Sequence, residues 1–224
     1  MGRSLGSETI SNRARNESVV RELSIETPHG PARAHLTLET DARAALLLGH
    51  GAGGGVQARD LVAAAGAGTA RSLSVALVEQ PYRVAGRRSP PPARHLDAAW
   101  VAVVQHLASR ELRDLALVVG GRSLGARVAC RTAGITDAVG VLCLAFPLQP
   151  PRRRTGAPAP SRLPELEDVE VPTLVVQGDR DPFGIPPPGP GRVVRLAHGD
   201  HSLRTDLAAV SGAVDSWLAD LLPG

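Results

Sequence analysis

The chain has 224 residues, of which 43% are hydrophobic and only 2% aromatic; this suits one buried core built from Ala, Val and Leu, and fits one domain better than two. The net charge is +3 and the pI about 9.6. All 25 basic residues are Arg, spread along the chain among acids, which reads as a coding bias and argues against a nucleic-acid partner. The N-terminus carries no apolar signal core and no apolar run is long enough to span a bilayer, so the expectation is a cytoplasmic protein with no membrane partner.

Residues 1–16 are polar and patternless and read as a flexible N-terminal arm, leaving a single domain over residues 17–224. From Val20 to Ile25 and from Ala32 to Leu38 apolar residues alternate around a Pro28-His29-Gly30-Pro31 turn, the pattern of an antiparallel hairpin. The pattern then changes to short unbroken apolar runs: Ala44–Leu48, Leu73–Val78, Leu115–Val119, Val139–Ala145, Thr173–Val176 and Val193–Leu196. Such runs suit strands buried on both faces of a parallel sheet covered by helices. Between them, Leu96, Trp100, Val103, Val104 and Leu107 recur at helical spacing, as do Leu207, Val210, Val214, Leu218 and Leu221 behind Thr205 as N-cap. The sum is an α/β chain with a mostly parallel, doubly wound sheet entered by an antiparallel hairpin. Phe146 to Glu170 is rich in Pro and Arg, including the Arg152-Arg153-Arg154 run, and is too short for a lid domain. Cys130 and Cys143 lie in apolar segments and read as buried free thiols; without clustered His or Cys no metal site is expected.

Function in open α/β sheets gathers at the C-terminal ends of the strands, and four strand ends here carry unusual residues. Gly121-Arg122-Ser123-Leu124-Gly125 is a G-x-S-x-G pattern between a strand and a helix, where the glycines permit a strained turn that exposes the serine. Gly178-Asp179-Arg180-Asp181 offers a carboxylate to orient a histidine; Asp181 is the choice and Asp179 the competitor. His198-Gly199-Asp200-His201 offers the base, with His201 preferred to His198, which is nearer the strand and reads as a packed histidine. Gly49-His50-Gly51-Ala52-Gly53-Gly54-Gly55 suits an oxyanion loop, with the N–H groups of Ala52 and Leu124 as the two donors. The order Ser123, Asp181, His201 is that of α/β-hydrolases. Arg122, beside the serine, and Tyr82, Arg87 and Arg88, on the loop after Leu73–Val78, are the candidate substrate contacts, the arginines suited to a carboxylate or phosphate on the substrate.

A rival reading takes Gly49, Gly51 and Gly54 as G-x-G-x-x-G and Glu79 as a ribose-binding acid, giving a dinucleotide-binding Rossmann protein. It leaves Ser123, Asp181 and His201 without a role. A further alternative is a catalytically silent fold used as a scaffold for protein interaction.

The co-occurrence of Leu48-Gly49-His50-Gly51-Ala52-Gly53-Gly54-Gly55, Pro81-Tyr82, Gly86-Arg87-Arg88, Gly120-Gly121-Arg122-Ser123-Leu124-Gly125-Ala126-Arg127, Phe146-Pro147-Leu148, Gln177-Gly178-Asp179-Arg180-Asp181-Pro182-Phe183-Gly184 and Gly199-Asp200-His201-Ser202 resembles the α/β-hydrolases related to dienelactone hydrolase. Among these it is most similar to the branch that includes a subunit of the eukaryotic non-specific lethal chromatin complex. The resemblance implies the α/β-hydrolase fold and a Ser123–Asp181–His201 triad. With the short Phe146–Glu170 segment no lid domain is expected, and acyl transfer by these residues calls for a small-molecule acyl substrate and no cofactor. Dienelactone hydrolases use a cysteine nucleophile where this chain has Ser123, so their lactone substrate does not carry over. The activity implied is hydrolysis of an ester or thioester through an acyl-enzyme.

Overall fold

The computed structural model describes residues 19–149 and 159–223. The expected arm and the Arg152-Arg153-Arg154 run lie outside these residues. The antiparallel hairpin is β1 (Val19–Ile25) and β2 (Ala32–Leu38), paired Ile25 to Ala32 across the turn. The chain continues through β3 (Ala44–Gly49), α1 (Arg59–Ala70), β4 (Ser74–Glu79), α2 (Pro81–Val84), α3 (Ala93–Ala108) and β5 (Ala116–Arg122). It ends with α4 (Leu124–Thr132), β6 (Gly140–Leu144), α5 (Leu163–Glu167), β7 (Thr173–Gly178), β8 (Arg192–Ala197) and α6 (Leu207–Leu221).

The eight strands form one sheet in the order β1-β2-β4-β3-β5-β6-β7-β8, antiparallel as far as β4 and parallel from β4 onward. This order also separates the two readings of the glycine loop. A Rossmann sheet carries two further parallel strands beyond its first strand. Here only β4 lies beyond β3 before the antiparallel hairpin takes over, and α1 starts at Arg59, well past Gly54.

The unbroken apolar runs have a direct explanation. In β3, Ala44, Leu46 and Leu48 point to the face covered by α1 and α6, with Leu61, Ala64, Val210 and Val214. Ala45 and Leu47 point to the other face, among Trp100 and Val103 of α3 and Ala126 and Ala129 of α4. A strand buried on both faces has no polar side to show. One strand departs from this expectation: β8 is the sheet edge, and Val193 and Leu196 are exposed. Its run of apolar residues therefore does not mark a two-sided core. The last helix begins one residue later than expected, with Asp206 as N-cap accepting the Ala209 N–H at 3.0 Å. Cys130 and Cys143 are both buried and free, their sulfurs 3.5 Å apart between α4 and β6.

Strand register places the loops that matter. Gly49 at the end of β3 lies opposite Gly121 in β5, so the glycine loop and the serine turn leave the sheet side by side. Gly178 at the end of β7 lies opposite Ala197 of β8, so the Asp181 and His201 segments do the same.

Candidate active site

Ser123 sits between β5 and α4 with φ 52° and ψ −104°, a backbone conformation that disfavours any side chain. Two contacts hold it there. Its N–H donates to Leu144 O at 2.9 Å, and Gly125 packs so closely on the preceding loop that a Cβ would stand 2.3 Å from Gly49 O. The second glycine of the pattern is thus required by the approach of α4 to β3. This geometry presents Ser123 at the N-terminus of α4, where helix dipoles favour negative charge.

His201 Nε2 lies 2.9 Å from Ser123 Oγ, and His201 Nδ1 lies 2.8 Å from Asp181 Oδ2. The Asp181 side chain is fully buried and that of His201 is 20% exposed. Asp181 Oδ1 accepts the Phe183 N–H at 2.8 Å, and Oδ2 also accepts from Gln177 Nε2 at 2.8 Å. The same Gln177 nitrogen faces Phe146 O and Gly184 O, which fixes the orientation of its amide. The Phe183 ring packs edge-on against the His201 imidazole at 4.5 Å between centroids. Close approach of the two loops depends on Gly178, where a Cβ would stand 2.4 Å from Asp200 O.

The competing acid and base pair with each other. Asp179 Oδ2 lies 3.1 Å from His198 Nδ1, and Asp179 Oδ1 accepts the Gly199 N–H at 2.8 Å. The Gly199 N–H and His198 hold the Asp179 carboxyl below its usual range. The His198 side chain is 64% exposed, so it is not the packed histidine expected from its nearness to the strand.

The glycine loop lies beside the serine: a Cβ on Gly51 would come within 3.6 Å of Ser123 Cβ. The Ala52 and Leu124 N–H groups donate to no backbone acceptor among the described residues, Leu124 because it opens α4. Two side chains that escaped the sequence reading or were given another role support this loop. His50 is buried; its Nε2 accepts the Gln80 N–H at 3.1 Å, so its proton is on Nδ1, which donates to Gly51 O at 2.8 Å. Burial pushes the His50 pKa down. Tyr82, expected at the substrate, is itself buried and donates its hydroxyl to Ala52 O at 3.1 Å.

Of the other expected substrate contacts, Arg122 lines a groove beside Ser123, whereas Arg87 and Arg88 do not. Arg122 pairs with the buried Asp60 at 2.8 Å and donates to His201 O at 3.0 Å. Arg87 lines a separate cavity of about 430 Å³ with His29, Tyr82 and His95, whose walls do not include Ser123. Arg88 is exposed on the same loop. The groove beside the site, of about 510 Å³, lies between Gly53 and Gly54 on one side and Ser202 and Arg204 on the other.

Among the described residues there is no cluster of His, Cys, Asp and Glu able to hold a metal ion, and no helix is long and apolar enough to cross a membrane.

The backbone is similar to that of XC6422 from Xanthomonas campestris, described as an α/β serine hydrolase without lid, with TM-score 0.71 and 19% identity over 93% of this chain and 96% of that one. Est1E from Butyrivibrio proteoclasticus matches with TM-score 0.72 and 13% identity, covering 91% of this chain and 99% of its own. A dienelactone hydrolase from Anabaena variabilis matches with TM-score 0.67 and 16% identity, covering 91% and 98%. At these identities the likeness speaks for the fold. No curated protein sequence matches the chain. The α/β-hydrolase domain family matches residues 42–213, which is most of the chain. By its sequence, its sheet order and these likenesses, the chain belongs to the α/β-hydrolase family.

Proposed function

We propose that the chain is a serine hydrolase that cleaves an ester or thioester through an acyl-enzyme. The observation that carries this reading is the continuous line from Ser123 Oγ to His201 Nε2 and from His201 Nδ1 to Asp181, at 2.9 Å and 2.8 Å. Ser123 is the nucleophile, His201 the base, and Asp181 the buried acid that holds the imidazole in the tautomer able to accept a proton at Nε2. As Ser123 Oγ bonds to the carbonyl carbon, its proton passes to His201. The N–H groups of Ala52 and Leu124 stabilise the oxyanion. Collapse breaks the bond to the leaving alcohol or thiol, which takes the proton from His201. Water then repeats the sequence and frees the acid. These steps use only this chain's residues and water.

The fold resemblance to dienelactone hydrolase does not extend to its lactone chemistry in this reading, because position 123 is serine. The tie to the chromatin-complex branch rests on sequence motifs alone, and an interaction scaffold would have no need of the Ser123–His201–Asp181 alignment. A cytoplasmic location belongs to the same reading and is supported by two buried cysteines that carry no disulfide.

The experiment is a rapid-mixing assay with p-nitrophenyl acetate and a matched acetyl thioester, quenched in acid and followed by mass spectrometry. An acetyl group on the Ser123 peptide during turnover is expected. Turnover without an acylated serine would contradict the reading.

A further inference from the structure

The Arg122 guanidinium joins three segments of the site. Its Nε lies 2.8 Å from Asp60 Oδ2 in the first turn of α1. Its Nη2 donates to the backbone carbonyl of His201 at 3.0 Å. Its Nη1 lies against Gly51 in the glycine loop, where even a Cβ would come within 2.7 Å. By its own peptide bond it is joined to Ser123. The Asp60 side chain is 1% exposed and that of Arg122 16%. Burying a carboxylate is costly, and burial pushes the Asp60 pKa up. Oδ1 accepts the Leu61 N–H at 3.0 Å, while Oδ2 has no hydrogen bond and only the ion pair with Arg122 offsets its burial. A mobile surface arginine reaching for solvent would have no need of a carboxylate buried beneath it.

His201 needs such a hold. It lies in a segment between β8 and α6 with no regular structure, and no other described residue donates to its carbonyl. Asp181 and Phe183 fix the ring from one side, but the backbone carrying the ring must also be fixed.

We propose that Asp60 and Arg122 are positioning residues: the buried carboxylate locks the guanidinium, and the guanidinium holds the His201 backbone in register with Ser123 and Gly51. The proposal rests on the reading of Ser123 and His201 as nucleophile and base. Arg suits the task because its planar fork serves several acceptors in fixed directions, whereas a Lys ammonium is a single point.

The test compares wild type with Arg122→Lys and with the double variant Asp60→Asn/Arg122→Gln. The first keeps a positive charge near Asp60; the second removes both buried charges together, so neither leaves Asp60 ionised without a counter-charge. Thermal melting, kcat and KM for p-nitrophenyl acetate, and the proton resonance of the His201–Asp181 hydrogen bond are measured for each. That resonance is identified by its loss in His201→Ala. Both variants are expected to melt close to wild type, to lose kcat by about 10- to 100-fold with KM little changed, and to show the resonance broadened. A misplaced base slows chemistry without weakening binding, which a merely structural pair would not do selectively. Folded variants with wild-type kcat and a sharp resonance would overturn the proposal. The resonance also separates the two claims. If wild type neither turns over the ester nor acylates, the nucleophile reading fails, while the resonance still decides whether Arg122 holds His201.

Discussion

Asp179 is bound to His198, not to His201, and its Oδ2 stands 3.1 Å from His198 Nδ1 on the exposed side of the two loops that also carry Asp181 and His201. The two Asp–His pairs are near in sequence and differ in burial, and of the two histidines it is His201 that reaches Ser123 Oγ, at 2.9 Å. The prediction is asymmetric. Asp181→Asn should lower kcat on a model ester by roughly 10⁴-fold, because the amide no longer enforces the required imidazole tautomer. Asp179→Asn and His198→Ala should leave most of the activity. Steady-state kinetics on the purified variants checks this, and the opposite ranking would transfer the acid role to Asp179.

Ser123 should be a strained residue whether or not the protein is active. Its φ of 52° with ψ of −104° is accessible to glycine and disfavoured for every side chain. Ser123→Gly should therefore be more stable than Ser123→Ala by about 1 kcal/mol or more. Both lack the hydroxyl, so the comparison isolates the backbone. Urea denaturation measures the difference; equal midpoints at equal slopes would place no strain at the turn.

Tyr82 supports the glycine loop through the 3.1 Å bond from its hydroxyl to Ala52 O. Tyr82→Phe should lower stability by about 1 kcal/mol and reduce kcat several-fold while leaving KM nearly unchanged. A rise in KM at constant kcat would instead make Tyr82 a substrate contact, the role that its sequence position first suggests.

Most of the architecture can be read from the sequence because two-sided burial leaves a plain mark. Ala44 to Leu48 must satisfy α1 and α6 on one face and α3 and α4 on the other, and every position is therefore apolar. At β8 the same mark misleads, since Val193 and Leu196 are apolar but lie on the exposed sheet edge. Ser123, Asp181 and His201 stand out because each follows a strand and belongs to a residue type with a distinct chemical use. Arg122 and Tyr82 make structural contacts that the sequence does not announce, for a common reason. Position in a loop says which end of the sheet a side chain occupies, but not which acceptor captures it. Arg122 is captured by Asp60, a residue that looks like an ordinary first-turn acid of α1. Gln177 and His50 carry no signal of their own; each becomes meaningful only once a buried carboxylate or a loop carbonyl is found beside it.

His50 should make the fold acid-sensitive. Its Nε2 accepts a backbone N–H, so a proton there would set two donors face to face in a buried site. Burial lowers its folded pKa below the ordinary histidine value, near 6.5. Below that value the unfolded chain binds the proton and the folded chain resists it. The stabilisation is thus complete above about 6.5 and is lost as pH falls from there toward the lowered folded value. The melting temperature of wild type should fall more steeply than that of His50→Gln just below pH 6.5, whatever the offset between them. Parallel curves would show that His50 is free to titrate in the folded chain.

The most direct test of the central claim is labelling with a fluorophosphonate probe. Ser123 Oγ should bond to phosphorus as the phosphorus–fluorine bond breaks, fluoride leaving and the serine proton passing to His201, because a serine activated by a base and facing an oxyanion hole reacts rapidly. Mass spectrometry of the digested protein should place one adduct on the peptide containing Ser123, with labelling abolished in Ser123→Ala and His201→Ala and largely retained in His198→Ala. Labelling that persists in Ser123→Ala, or a wild-type protein that stays unlabelled while correctly folded, would contradict the assignment of this chain as a serine hydrolase.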